Sequence, residues 1–490
     1  MKGNHRQTPH NAYEIALEHH RSGELQAAET IYRSILEAEP RHAEVWHMLG
    51  VLALQMGRYQ VAIGVFQQAI AISPSAAENY SNLGEAYRAM GRSEEAIASY
   101  RRAILLDPNL AGAHSNLGIA LKDNGDMAGA ISAFRQAIQI KPDFAEAHSN
   151  LGHALRLTGE LEEAAQSYKL AIQLCPSLLS ARTGHSEAML GLVPPWHIPM
   201  INDQARNEFY LSALKSVVTP ESNVFEIGTG SGLLSMMAAR LGAREVVTCE
   251  AVPLIAATAG RVISDNGFEK SIRIIPRRST QLTPELAFID GADVLVSEIF
   301  SSELLAEGVL HSIEDAKARL LKPGCRVVPD TGSIMIALFG GDEFGSNLVV
   351  GESCGFDLKQ FNSIIAERQT IPRKDLRVEL LTKDVEAFRF HFERDSFFPS
   401  EEKTLRVTVE KPGVCLGIIQ WIRLGMGSEL EFTNHPSMKS ATSSWHYNVF
   451  LLPAPVKLEA NQTAIISAAH NRNEAWISLQ GVENYGSSLT

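Results

Sequence analysis

The chain lacks several features that would mark whole classes of protein. No apolar run reaches the roughly 20 residues of a membrane-spanning helix, and the polar start MKGNHRQTPHN has no secretory signal. Its five cysteines show no paired spacing, so we expect reduced, mostly buried thiols and no metal site. These absences favour a cytoplasmic protein.

The chain also has little positive charge. It carries 44 Lys and Arg against 56 Asp and Glu, a net charge of −12. This balance argues against nonspecific binding to nucleic acid or to an anionic membrane, so neither is predicted as a partner. A hydrophobic content of 45% is ordinary for a globular protein, and a length of 490 residues predicts about three domains.

Four residue types recur every 34 residues in the first part of the chain. They are the prolines Pro40, Pro74, Pro108, Pro142 and Pro176, the glycines Gly23, Gly57, Gly91, Gly125 and Gly159, the alanines Ala28, Ala62, Ala96, Ala130 and Ala164, and the aromatics Tyr32, Phe66, Tyr100, Phe134 and Tyr168. Glycine closes a turn, alanine permits close helix approach, the aromatic fills the core, and proline ends a helix. The pattern resembles the tetratricopeptide repeat, which implies an all-α solenoid over residues 1–180.

One polar position repeats with the same period. Asn82, Asn116 and Asn150 precede Leu-Gly in three units, where the first full unit has Met48. Residues in the same phase of a solenoid line up along one surface. They resemble the asparagine ladder of O-linked N-acetylglucosamine transferase, which implies binding of an extended peptide from a protein partner. The alternative is an ordinary solvated helix surface.

The repeat register is lost after residue 180, and GLVPPW follows. Two adjacent prolines break a helix, so residues 181–195 are predicted to be a linker. A second domain is expected over residues 196–330.

The segment NVFEIGTGSG organises that second domain. It predicts a buried strand, then a turn through Gly228, Gly230 and Gly232, then a helix. A dinucleotide site would need glycine at Leu233. Alternate glycines with Glu226 in the strand end resemble the first motif of class I methyltransferases. That resemblance implies an α/β, Rossmann-like domain in which Glu226 and the glycines bind S-adenosylmethionine.

Two further segments fit the same cofactor. The strand REVVTCE ends at Glu250, whose carboxylate can accept hydrogen bonds from two ribose hydroxyls. Ser279 and Thr280 follow the next strand, at the place where methyltransferases of this kind contact adenine. Many relatives have an acid at the Thr280 position, so only a hydroxyl or the backbone is expected to serve here.

The segment before the glycine turn carries a second resemblance. His197, Met200, Asp203 and Arg206 have the spacing found in the helix that precedes the core of protein arginine methyltransferases. This implies that His197 and Arg206 bind the cofactor and that Met200 contacts the substrate. A guanidinium suits the carboxylate of the cofactor, because it can bind it through two hydrogen bonds. The alternative is a simple pair of Arg206 with Asp203.

The catalytic prediction rests on two acids. The strand ADVLVSE ends at Glu298, and Glu307 follows nine residues later in the loop IFSSELLAEG. Two carboxylates can hold a planar guanidinium and turn one nitrogen toward a methyl donor. SEIFSSELLAEG resembles the double-glutamate loop of protein arginine methyltransferases. The alternative is that Glu303 and Glu307 form one solvated helix surface.

From about residue 331 the pattern changes to alternating strands, which predicts an antiparallel β-barrel over 331–490. The family appends such a barrel and inserts a dimerisation arm, matched here by residues 339–362, so a homodimer is expected. The family's Thr-His-Trp loop aligns with Ser443, Ser444 and Trp445, which implies a substrate contact for Trp445. Ser444 replaces the family histidine, and His446 would lie on the opposite face if this segment is extended.

These observations predict a transferase that moves a methyl group from S-adenosylmethionine to a guanidino nitrogen of arginine in proteins. The repeats would recruit substrate or partner proteins. Two alternatives stay open at this point. One is a weak or inactive methyltransferase fold that acts as an interaction scaffold, and the other is a methyltransferase for a different nucleophile.

Overall fold

A computed structural model describes residues 9–346, 348–371, 378–438 and 445–484, within two compact units, 1–192 and 193–490. The first unit is helical, as the 34-residue period predicts. Its helices in the described range are α1 (Pro9–Arg21), α2 (Leu25–Ala38), α3 (Ala43–Gln55), α4 (Tyr59–Ile72), α5 (Ala77–Ala89), α6 (Ser93–Leu106), α7 (Ala111–Asp123), α8 (Met127–Ile140), α9 (Ala145–Thr158), α10 (Leu161–Leu174) and α11 (Leu179–Leu192).

The periodic residues build each helical pair. The five turn glycines have φ between 68° and 87°, a left-handed conformation that a side chain disfavours. A Cβ built on Gly84 would lie 2.8 Å from Cε1 of Tyr100, so α5 and α6 meet where a glycine faces an aromatic ring. Ala96 and Tyr100 are fully buried between them. The predicted solenoid of helical pairs is confirmed.

The predicted linker is largely helical. Helix α11 covers most of residues 181–195, and Ala181 and Ala188 on it are fully buried. A Cβ on Gly184 would come within 2.2 Å of the Tyr168 ring, so α11 packs closely on α10. The prediction failed because the proline period stops at Pro176. A signal was present, since Ala181 and Ala188 continue the 34-residue phases of Ala147 and Ala154.

The second unit begins with a parallel sheet. Its first part contains α12 (His197–Ile201), α13 (Gln204–Val217), β1 (Asn223–Ile227), α14 (Leu233–Arg240), β2 (Glu245–Cys249), α15 (Pro253–Asp265), β3 (Ile272–Ile275), β4 (Ala292–Ser297), α16 (Val309–Arg319) and β5 (Leu321–Val328). The strand order is β3-β2-β1-β4-β5, all parallel. The order therefore reverses between β1 and β4, and ligands of such sheets bind outside the carboxyl ends at that point.

Antiparallel strands follow. They are β6 (Thr331–Gly340), β7 (Glu352–Ser353), β8 (Phe356–Asp357), β9 (Arg368–Ile371), β10 (Glu379–Leu380), β11 (Val385–His391), β12 (Glu401–Thr408), β13 (Gly413–Met426), β14 (Leu430–Thr433), β15 (Tyr447–Leu458), β16 (Thr463–His470) and β17 (Ala475–Glu483), with a short helix α17 (Asp342–Gly345) after β6. One sheet runs β10-β6-β13-β15-β9, with β11 and β14 added to it, and a second runs β12-β16-β17. We refer to these two sheets as the barrel.

The parallel sheet and the barrel share one hydrophobic core. Val294 of β4, Ile418 of β13 and Ile466 of β16 belong to the same cluster of buried residues. The ranges 196–330 and 331–490, expected as separate domains, are thus parts of one compact unit. Burial of continuous apolar surface fixes the barrel relative to the parallel sheet.

The segment predicted as a dimerisation arm, 339–362, contains the β7–β8 hairpin and lies between β6 and β9. Phe356 and Phe361 are 68% and 60% exposed there, and Ile364 just beyond is 74% exposed. Large apolar side chains exposed together indicate a contact surface. Position 347 lies outside the described residues.

Two features are absent from the described ranges. No helix there is long and apolar enough to cross a bilayer. No group of three or more His, Cys, Asp or Glu there is arranged to hold a metal ion.

Candidate active site

The glycine turn lies at the carboxyl end of β1. Gly228, Gly230 and Gly232 have φ of 84°, 52° and 82°. A Cβ on Gly228 would lie 2.8 Å from Cγ2 of Ile299, whereas one on Gly230 would meet nothing within 4 Å. Gly228 is therefore required by packing, and Gly230 leaves bare backbone on the open side of the turn. A ligand can approach the chain closely there.

Glu250 follows β2 and lies beside the turn. Its Oε2 accepts a hydrogen bond from the N–H of Gly230 at 3.1 Å, and its Oε1 accepts one from Val252 at 3.0 Å. An ionised carboxylate has about four acceptor positions. Glu250 thus braces the turn and keeps acceptor capacity for a ligand's hydroxyl groups.

Glu226 lies in β1, two residues before the first glycine of the turn, and is buried. It is 1% exposed and accepts a hydrogen bond from the hydroxyl of Ser235, in the first turn of α14. Burial raises the pKa of Glu226 to about 7. The prediction that Glu226 contacts the cofactor stays a prediction. Its carboxyl group links β1 to α14 and so stabilises the glycine turn that connects these two elements.

Arg206 lies in the first turn of α13 and points at Glu298. Its Nη2 is 2.9 Å from Oε2 of Glu298, and the two side chains are 4% and 5% exposed. The backbone N–H of Arg206 donates to Asp203, which caps the helix. The alternative of a simple pair between the Arg206 and Asp203 side chains is therefore replaced by a buried pair with Glu298, the first of the two acids predicted to be catalytic.

The electrostatics of this pair are dominated by burial. Burial would lower the pKa of Arg206, but the carboxylate of Glu298 raises it overall, so the guanidinium stays charged. Burial raises the pKa of Glu298, and Arg206 offsets only part of that rise. Within the described residues, Nε of Arg206 and Oε1 of Glu298 have no hydrogen-bond partner. Buried polar atoms without a hydrogen-bond partner destabilise the folded protein. A bound ligand could supply the missing hydrogen bonds to these two atoms.

The loop after β4 carries both predicted acids into one cavity of about 120 Å³. The lining residues are Trp196, Met200, Glu298, Ile299, Phe300, Ser301, Ser302, Glu307, Trp445 and His446. Met200 and Trp445, predicted to contact the substrate, thus lie with the two acids. An aromatic-walled cavity with two carboxylates can hold a flat cation.

Glu307 is exposed and has a left-handed φ of 65°. The surrounding protein raises the pKa of Glu307 by desolvation, and the negative charge of Glu250 adds to that effect. The charge of Glu250, beside the glycine turn, therefore acts on Glu307. This interaction links the predicted cofactor site to the predicted pair of acids. Glu303 does not share a solvated helix surface with Glu307, since it pairs with Arg368.

Trp196 and His446 are among the cavity residues that the sequence did not predict. Trp196 stacks on His197, with ring centroids 4.1 Å apart. Burial lowers the pKa of His197, while Glu250 opposes the shift. His446 lines the cavity. Residues 445 and 446 precede β15, so the extended segment that would turn His446 to the opposite face is not formed there. Burial lowers the pKa of His446.

For the remaining predicted residues the structure gives a location and a degree of burial, but no contact that bears on their predicted roles. Ser279 and Thr280 lie in a short 3₁₀ turn after β3, with Ser279 buried and Thr280 exposed. Asn82, Asn116 and Asn150 occupy the same position of α5, α7 and α9 and are half-buried. Their proposed contacts with adenine and with peptide stay predictions. Ser444 lies outside the described residues.

Comparison with family models identifies both parts of the chain. Tetratricopeptide repeat models match residues 13–77, 65–98, 84–125, 120–159 and 145–178. A model described as ribosomal protein L11 methyltransferase matches residues 207–329. That stretch contains the glycine turn and Glu298.

Comparison with individual proteins gives the nearer relationship. The chain is 34% identical over 272 residues to an arginine N(omega)-methyltransferase of Streptomyces achromogenes subsp. streptozoticus, covering 55% of this chain and 74% of that one. It is 27% identical over 325 residues to protein arginine N-methyltransferase 7 of Caenorhabditis briggsae, covering 58% of this chain and 47% of that one. The chain thus spans about half the length of the latter relative.

A solved structure shows the same fold. The PRMT1 enzyme–prozyme complex of Trypanosoma brucei, solved with AdoHcy, aligns with a TM-score of 0.50 and 20% identity, over 59% of this chain and 93% of that chain. The parallel sheet, the barrel and the double-acid loop fit this relationship. The chain belongs to the arginine N-methyltransferase family and carries tetratricopeptide repeats ahead of its methyltransferase part.

Proposed function

We propose that the protein transfers a methyl group from S-adenosylmethionine to a guanidino nitrogen of arginine in protein substrates. One observation carries the proposal: Glu298 and Glu307 line the same cavity, together with Trp196 and Trp445. Two acids in an aromatic-walled cavity suit a delocalised cation and would repel an anion. A neutral nucleophile would gain nothing from them.

The residues beside the cavity fit the cofactor. Arg206 is buried and its Nε has no hydrogen-bond partner among the described residues, so it can bind the carboxylate of the methionine part. Glu250 has acceptor capacity for the ribose hydroxyls, and Gly230 leaves room for close approach. When bound, S-adenosylmethionine supplies an electrophilic methyl group on a sulfonium centre.

The chain's own residues then orient the substrate and handle its proton. Glu298 is fixed by Arg206, so it serves as a rigid acceptor for one guanidino N–H. Glu307 has a raised pKa, which makes its carboxylate a better proton acceptor than an ordinary glutamate. Trp196 and Trp445 reduce the water around the guanidinium and so strengthen both charge contacts.

The partners follow from the other two parts of the chain. The repeats recruit a protein through an extended segment that contacts Asn82, Asn116 and Asn150. The exposed apolar residues of segment 339–362 pair two copies of the chain into a homodimer. The acidic charge of −12 and the unpaired cysteines suit a cytoplasmic enzyme.

The test is a transfer assay with methyl-labelled S-adenosylmethionine. The substrates are an arginine-rich peptide, the same peptide with lysine in place of arginine, and free arginine, because the name of the Streptomyces relative specifies arginine without mentioning a protein. Label on arginine of the peptide supports the proposal, and mass spectrometry then counts the methyl groups. Label on free arginine alone would show that the substrate is the free amino acid and would contradict the proposal of a protein substrate.

The second candidate, an interaction scaffold, predicts a different result. Such a protein would bind S-adenosylmethionine without labelling any substrate. The repeats are tested separately by replacing Asn82, Asn116 and Asn150 with Ala. This triple variant should weaken labelling of a long protein substrate and leave that of a short peptide unchanged. Equal loss on both would contradict the proposed division between recruitment and catalysis.

A further inference from the structure

The loop that carries Glu307 adopts a backbone that its sequence disfavours. Leu304 and Glu307 have φ of 70° and 65°, and neither is glycine. Left-handed conformations place Cβ close to the backbone carbonyl, so they persist only where surrounding contacts hold them. The contacts that hold this loop therefore decide where Glu307 points.

Two of these contacts are burial of apolar side chains and a hydrogen bond to the barrel. Leu304 and Leu305 are fully buried, which fixes the underside of the loop. The hydroxyl of Ser302 accepts a hydrogen bond from the backbone N–H of His446 at 2.8 Å, which fixes the start of the loop to the barrel. Between these two anchors lies Glu303.

Glu303 forms an ion pair with Arg368, the first residue of β9. The two side chains are only 24% and 17% exposed, so solvent screens this pair less than an ordinary surface pair. Arg368 is itself held from several sides. Its Nη1 is 3.4 Å from Oε2 of Glu474, and its guanidinium lies 5.9 Å from the centroid of the Phe450 ring.

The position of Arg368 makes it a rigid attachment point. Strand β9 is the edge strand of the larger barrel sheet, and Arg368 is directly opposite Phe450 on β15. The backbone of Arg368 is therefore fixed by the sheet while its side chain reaches the loop after β4. A planar guanidinium also restricts the angle at which Glu303 can bind.

We propose that Arg368 is a positioning residue for methyl transfer. By binding Glu303 it holds loop 299–308 against the barrel and keeps Glu307 directed into the cavity. It also neutralises the third carboxylate of the loop, so that a substrate guanidinium is drawn to Glu298 and Glu307. The kinetic part of this inference rests on the proposed function.

The kinetic test is a double-mutant cycle with Arg368→Gln and Glu303→Gln. We expect each single variant to lower kcat about tenfold while the Kd for S-adenosylmethionine stays unchanged, and the double variant to be no slower than either. Exchanging the two residues, as Arg368→Glu with Glu303→Arg, should restore most of kcat. Arg406→Gln, which removes an exposed ion pair with Glu483 elsewhere on the barrel, is the control and should leave kcat unchanged.

A second measurement needs no activity. Hydrogen exchange of the loop amides, followed by mass spectrometry without cofactor, should be faster in Arg368→Gln than in the wild type or Arg406→Gln. If exchange rises but the wild type labels no arginine substrate, the proposed function fails and the contact stands. If the wild type is active and Arg368→Gln changes neither exchange nor kcat, or changes exchange alone, the positioning role is overturned.

Discussion

Glu226 should make the stability of the catalytic unit depend on pH. Its carboxyl group is 1% exposed, and burial raises its pKa from the ordinary 4.5 to about 7. The folded state therefore binds more protons than the unfolded state between these two values. Stability from this group is fully present below pH 4.5 and is lost as the pH rises through 7.

The magnitude follows from the two pKa values. A rise from 4.5 to about 7 corresponds to roughly 3 kcal/mol between protonated and ionised forms. Most of this, roughly 2 to 3 kcal/mol, falls between pH 5 and pH 8 by the same linkage. Glu226→Gln is nearly isosteric with the protonated acid and keeps an oxygen for the hydroxyl of Ser235. The variant should therefore lose this part of the pH dependence.

The assay is urea unfolding at pH 5 and pH 8, followed by tryptophan fluorescence. Four of the five tryptophans, at 196, 421, 445 and 476, lie in the second unit, so the signal reports mainly on it. The advantage of Glu226→Gln over the wild type in free energy of unfolding should grow by roughly 2 to 3 kcal/mol from pH 5 to pH 8. An advantage that does not change with pH would refute the reasoning, because it would show that Glu226 ionises without a burial penalty.

Three further predictions concern binding, turnover and assembly. Gly230→Val should abolish binding of S-adenosylmethionine in calorimetry, whereas Gly427→Val, with a similar φ of 65° and equally open space, should bind normally; equal binding by both would contradict the cofactor site. Glu307→Gln removes one charge from the cavity and should lower kcat by about two orders of magnitude with little change in cofactor affinity; a wild-type rate would refute the two-acid mechanism. Phe361→Glu places a charge on the exposed arm and should convert a dimer into a monomer in light scattering; a wild type that is already monomeric at micromolar concentration would overturn the predicted homodimer.

The repeats show how much a period in the sequence determines. A glycine, an alanine and an aromatic residue at fixed phase specify a turn, a close contact and a core residue in every unit, and each contact is local. Tyr100 is buried against the adjacent Gly84, sixteen residues away along the chain. Helix α11 escaped prediction because it lacks a second helix and a closing proline, although its alanines keep the phase.

The cofactor turn was also accessible from sequence, because strand, glycine turn and helix are contiguous. The direction in which each side chain points could not be predicted from the sequence. Successive side chains of β1 point to opposite faces of the sheet, and the sequence does not show which face Glu226 takes. Only the packing of α14 decides that its carboxyl group meets Ser235. Arg206 was predicted beside the cofactor, but its buried contact with Glu298 joins residues far apart in the chain and needed the fold.

The sequence by itself determined the architecture and the two acids of the double-glutamate loop, because those signals lie within short segments whose spacing carries the chemistry. Only the tertiary structure decided how Glu307 is held. Its left-handed backbone, the Ser302–His446 hydrogen bond and the Arg368–Glu303 pair depend on barrel strands that follow the loop by 60 to 150 residues. Such contacts arise from burial of one core shared by the parallel sheet and the barrel, and no local pattern encodes which distant residue completes them.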